Sequence, residues 1–117
     1  MKLGITLAVA AVALAAVATA SSMATPKLTG TVGPGFTISL KKAGKTFKTL
    51  KPGKYTFVVG DKASIHNFEI EGPGLDKAIT SVPFTGTKTV TLTLKKGTYK
   101  YYCAPHESTM HGSFKVA

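Results

Sequence analysis

The chain has 117 residues, carries 15 lysines and no arginine against five acids, and bears a formal charge of +10. That length suits one domain with a modest core. The charge favours anionic partners, but the lack of arginine argues against nucleic acid, and a single cysteine rules out an internal disulfide.

Residues 1–20 have the form of an export signal. Met1-Lys2 gives a short positive start, Leu3 to Val17 is uncharged and rich in Ala, Val and Leu, and Ala18-Thr19-Ala20 offers a small-x-small cleavage site. We expect cleavage after Ala20 and an exported domain over residues 21–117, in a periplasm, on a cell surface or outside the cell. Loss of Lys2 lowers the formal charge to +9. An uncleaved membrane anchor is the alternative reading.

From Lys27 onward the chain consists of short β-prone runs cut by Gly and Pro, with no sustained helical period. Candidate strands are Leu28–Val32, Phe36–Lys41, Thr46–Leu50, Tyr55–Val59, His66–Glu71, Ile79–Val82, Thr87–Leu94, Tyr99–Cys103 and Ser113–Val116. The breaks fall at Gly33-Pro34-Gly35, Ala43-Gly44, Pro52-Gly53, Gly72-Pro73-Gly74 and Lys96-Gly97. This spacing predicts an all-β, two-sheet antiparallel Greek-key sandwich of about eight strands.

Three of the strands show which way their side chains point. Thr87, Thr89, Thr91 and Thr93 alternate with Val90, Leu92 and Leu94, so the threonine face looks outward. His66 shares a face with the core candidates Phe68 and Ile70, opposite Asn67, Glu69 and Glu71. Cys103 shares a face with Tyr99 and Tyr101, opposite Lys100. His66 and Cys103 are therefore expected to point inward, each at one end of its strand. The six lysines Lys41, Lys42, Lys45, Lys48, Lys51 and Lys54 read first as a solvated strand–turn–strand that resists edge pairing, and second as a docking patch.

Chemistry concentrates between Tyr101 and Gly112, which hold the only cysteine and two of the three histidines. A free thiol survives poorly in oxidising surroundings, and metal occupation protects it. Cys103 as thiolate, His66 and His106 as neutral imidazoles and Met110 as a weak axial sulfur form the donor set of a blue-copper electron-transfer site. His111, directly after Met110, is expected to point away, and Glu107 reads as a solvated loop acid.

His66-Asn67, Tyr102-Cys103-Ala104-Pro105-His106 and Met110-His111-Gly112 together resemble the cupredoxins, close to the plastocyanin, pseudoazurin and amicyanin group. The resemblance implies one copper ion held by His66, Cys103, His106 and Met110. It also implies an Asn67 backbone N–H donated to the Cys103 sulfur, and His106 as the ligand nearest solvent, where electrons pass. Three residues separate His106 from Met110, between amicyanin-like and plastocyanin-like loop lengths. Ala104 stands where many members have a Ser or Thr able to bond the Asn67 side chain, so that tie is expected to be absent. Pro105 has no N–H, which leaves Asn67 as the main donor to the thiolate and favours a raised potential.

The expected function is single-electron carriage between redox proteins by a monomer, the partner presenting an acidic surface. Peripheral association with an anionic envelope or membrane is a further expectation. A copper chaperone or store on the same fold is the alternative. A cysteine-nucleophile enzyme lacks an orienting third group, a zinc hydrolase lacks an open position, and a binuclear copper centre lacks its second cysteine. A plain adhesion module leaves the ligand run unexplained.

Overall fold

The computed structural model describes residues 24–117, together with Gly4 and Ala11. Apart from those two positions, the expected export signal and its cleavage point lie outside the described residues. Nine strands form: β1 (Lys27–Val32), β2 (Ile38–Lys42), β3 (Thr49–Leu50), β4 (Gly53–Asp61), β5 (Phe68–Gly72), β6 (Leu75–Thr80), β7 (Gly86–Leu94), β8 (Gly97–Tyr102) and β9 (His111–Val116). One 3-10 turn, Ala104–His106, lies between the last two. Among the described residues, no helix is long and apolar enough to cross a membrane.

The strands build two sheets, ordered β2-β1-β4-β7 and β3-β9-β8-β5-β6. The expected sandwich is present, but its sheets are mixed rather than wholly antiparallel. β1 pairs parallel with β4, and β3 parallel with β9. The reason is the path between them. After the β1–β2 hairpin the chain crosses to the second sheet as β3 and returns as β4 beside β1, a route that closes a parallel pair no tight turn could make. β6 also starts earlier than its sequence pattern suggests, because the turn after Gly72 reverses the chain at once and pairs Gly72 with Leu75.

Leu28, Val32, Phe57 and Val59 of one sheet and Phe68, Ile70, Tyr99, Phe114 and Val116 of the other are buried together in the core. The outward threonines of β7 are exposed, as alternation requires, while Leu94 is buried and Val90 and Leu92 are partly so. Aromatic rings fill much of the second sheet's inner face. Tyr99 stacks on Phe114 with centroids 5.3 Å apart, and Tyr101 stacks on Phe68 at 5.8 Å. Two glycines make room for these rings: a Cβ on Gly72 would overlap the Tyr99 ring, and one on Gly112 would overlap Tyr101.

Register gives the sandwich two unlike ends. β1 and β4 run side by side from Lys27↔Thr56 to Val32↔Asp61, while β2 runs back from Ile38 to Lys42. The end at Val32 and Asp61 carries the loop to His66. The other end collects the six lysines of the β2–β4 segment, joined by Lys27, by Lys95 and Lys96 in the β7–β8 turn, and by Lys115 late in β9. All of these lysines are exposed. Among the described residues, the strand pairings and the core lie within residues 27–116.

Candidate metal centre

Strand β4 ends at Asp61, whose Oδ1 accepts a hydrogen bond from the Ala63 N–H at 3.3 Å and starts the turn toward His66. The His66 N–H then donates to the Ala63 carbonyl. His66 itself precedes β5 instead of lying within it, yet its ring is fully buried, as its alternation with Phe68 and Ile70 implies. On the second segment, Cys103 follows β8 and caps the 3-10 turn that carries His106. The loop closes on itself: Cys103 N–H donates to the Met110 carbonyl at 3.0 Å and Met110 N–H to the His106 carbonyl at 2.8 Å. Cys103 and Met110 are both wholly buried.

The two segments bring three donor atoms to one point. His66 Nδ1 and His106 Nδ1 are 3.1 Å apart, and the Cys103 Sγ lies 3.7 Å from the first and 3.6 Å from the second. A point equidistant from these atoms lies about 2.0 Å from each, the length of a metal–imidazole bond. Two imidazole nitrogens and a thiol converging on one point form a donor set that suits a metal ion. Met110 is buried at the base of the same loop.

Asn67 links the two segments. Its backbone N–H donates to the Cys103 Sγ at 3.4 Å, as the sequence resemblance implies. Its side chain is buried rather than turned outward with Glu69, because it reaches across to the loop. There Asn67 Oδ1 accepts from the Ala104 N–H at 2.7 Å. The tie expected to be lost with Ala104 is therefore made by its main chain, which needs no hydroxyl.

Around this group the remaining residues sort clearly. His111 is exposed and its Nδ1 meets the Glu107 carbonyl at 2.8 Å, outside the cluster. Glu107 pairs with Lys100 on the surface. Tyr102, beside the cysteine but on the other face, donates to Glu69 and Glu71 at 2.8 and 2.6 Å. Burial first, then these bonds and charges, hold its phenol well above the ordinary tyrosine range. It stays a neutral donor and fastens the end of β8 to β5.

The sequence reading missed Phe36, taken there as the first residue of a strand. It leaves the Gly33-Pro34-Gly35 turn 59% exposed, yet its ring stands edge-on to both imidazoles, with centroids 5.2 Å from His66 and 4.9 Å from His106. An aromatic directly after a glycine-proline turn was the available signal. Because the ring keeps water from the imidazoles, Phe36→Ala is expected to lower the potential of the metal-loaded protein and to speed metal loss to a chelator several-fold. Cyclic voltammetry and chelator-release kinetics check this, and apo-protein melting should hardly move because the side chain is mostly exposed.

Residues 37–117 match the family of copper-binding proteins described as the plastocyanin/azurin family. The chain belongs to that family. The cupredoxin sandwich is also seen in solved structures. Auracyanin A, a "blue" copper protein from the green thermophilic photosynthetic bacterium Chloroflexus aurantiacus, superposes with a TM-score of 0.54 at 18% identity, covering 80% of this chain and 100% of that one. A structure of the copper protein rusticyanin gives 0.51 at 24% identity, covering 82% and 80%. Rusticyanin from Thiobacillus ferrooxidans gives 0.49 at 27% identity, covering 82% and 79%. No curated protein sequence is significantly similar. The likenesses at TM-scores of 0.54 and 0.51 show the fold, and in this cupredoxin the converging His66, Cys103 and His106, with Met110 on the same loop, have the arrangement of a type 1 copper site.

Proposed function

We propose that the protein is an exported blue-copper electron carrier whose copper is held by His66, Cys103, His106 and Met110. The observation that carries this reading is the triangle of two Nδ1 atoms and one Sγ with sides of 3.1, 3.6 and 3.7 Å. Copper supplies a one-electron couple there, and the soft sulfurs and borderline imidazoles suit both of its oxidation states. The chain's part is to hold the donors still. Asn67 bonds the thiolate and the Ala104 N–H at once, and the Cys103–Met110 loop is closed by its own main chain, so little moves when charge changes.

His106 is the partly exposed ligand, and the exposed Phe36 ring stands against it. Phe36 and Ile65 are the exposed large hydrophobics of the domain, at 59% and 52%, and Ala104 and Pro105 are exposed on the adjoining turn. A redox protein meets this end by apolar contact, with His106 as the point of exchange. On the reading of residues 1–20 as an export signal, that exchange takes place outside the cytoplasm.

Copper(II) added to purified residues 21–117 should give an intense visible thiolate-to-metal band that bleaches and returns through repeated reduction and oxidation. A colourless protein overturns the proposal. Colour that is lost rapidly to a weak chelator, with poorly reversible cycling, favours a copper chaperone or store instead.

A further inference from the structure

The lysines are not spread evenly over the sandwich, and their placement is opposite to that of the metal-binding end. No Asp or Glu occurs before Asp61, the last residue of β4, so the charged residues from β1 up to that point are all lysines. Lys42, Lys51 and Lys54 border a groove of about 690 Å³ that also includes residues Ala24, Thr25 and Pro26. Lys27, Lys95 and Lys115 extend the same end across both sheets. The acids lie elsewhere: Asp61 is buried at the far end of β4, Glu69, Glu71 and Asp76 line the β5–β6 flank, and Glu107 is on the metal-site loop. Among the described residues the single ion pair, Lys100–Glu107, does not touch this basic end. The molecule is an electric dipole along its strands.

We propose that this lysine end is a docking surface for an anionic lipid bilayer. Three observations favour a bilayer over an acidic protein. The basic residues come from the β1 start, the β2–β4 segment, the β7–β8 turn and β9, and so cap a whole end of the sandwich, as a broad charged plane would require. The segment preceding β1, Ala24 to Pro26, lies in the same groove, so the chain enters the domain at this end. Finally, β4 spans nine residues, about 30 Å, between the lysine end and the His66 loop. An acidic redox partner held at the lysines would be kept far from His106. A bilayer held there leaves His106 facing outward, free for exchange. Docking itself depends on lysines alone and needs no metal, so it stands or falls separately from the copper reading.

The test uses residues 21–117, without the apolar stretch, and sedimentation with vesicles of mixed phosphatidylglycerol and phosphatidylcholine or of phosphatidylcholine alone. Binding is expected only to the anionic vesicles, and it should collapse as salt rises from ~0.1 M to ~1 M, where the Debye length falls from about 10 to about 3 Å. Each lysine near such a surface contributes about fivefold to partitioning. The triple variant K42Q/K51Q/K54Q should therefore bind about a hundredfold more weakly. The variant K62Q/K77Q/K88Q, which removes the same charge from other faces, should stay near wild type. Equal losses in the two variants would reduce the effect to net charge and overturn the proposal. So would binding that ignores lipid charge, or salt-sensitive binding to polyglutamate without binding to vesicles.

Discussion

Replacing Cys103 with serine is expected to abolish the visible colour of the copper-loaded protein completely. The intense band of such a site comes from charge transfer out of a thiolate sulfur, and a serine hydroxyl neither ionises near neutral pH nor supplies a soft donor. His66 and His106 remain 3.1 Å apart at their Nδ1 atoms, so some copper(II) still binds, now by two nitrogens and in a harder environment. Oxidised copper is favoured there, and the potential of whatever metal stays should drop. The fold should survive. Serine is close to cysteine in volume, and the Asn67 N–H that reached the Sγ at 3.4 Å finds a hydroxyl oxygen instead, so the apo-protein should change by no more than about 1–2 kcal/mol. Absorbance after copper addition, beside far-UV circular dichroism of the same sample, separates loss of the chromophore from loss of structure. A variant that kept the full band would remove Cys103 from the site.

Gly72→Ala should be the most damaging single methyl group in the domain, costing roughly 3 kcal/mol or more. Gly72 lies next in register after the Glu71↔Lys100 pair of β5 and β8, so the Tyr99 ring on the neighbouring strand lies directly over its Cα. That ring cannot step aside. Tyr99 is 1% exposed, stacks on Phe114 with planes 8° apart, and has its hydroxyl bonded to both the N–H and the carbonyl of Lys95 at 2.8 Å. An added Cβ must displace the ring, break its bonds at the β7–β8 turn, or separate the two strands. Thermal unfolding read by circular dichroism should show a fall on the order of 15 °C for a domain of this size. Gly60→Ala serves as the control: nothing lies within 4 Å of where its Cβ would stand, and its melting should stay close to wild type.

Alternation was enough to find the site, because the side-chain period of two is a local property of the chain. His66 and Cys103 were read as inward-facing from their neighbours alone, and both are fully buried. The strands were legible for the same reason, with Gly and Pro marking the breaks. What escaped was set by pairing across distance. The parallel partners of β1 and β3 depend on where the chain crosses between sheets, and no local pattern records that. Asn67 was assigned outward by parity, but its side chain is turned to the loop by the hydrogen bond its Oδ1 accepts from the Ala104 N–H. Phe36 was invisible for a related reason. Its exposure resembles that of any loop aromatic until the turn before it is seen to fold back over two histidines.

The bonds that assemble the donor triangle are all between protein atoms. Asn67 holds the cysteine sulfur and the loop main chain, and the loop's own carbonyls hold its ends together. In a zinc finger the ion nucleates the fold; here bonds between protein atoms and an aromatic core hold the donors, so folding need not wait for an ion. A chain built this way can fold against its aromatic core first and take up copper afterwards. The timing of metal insertion is thereby separable from the timing of folding.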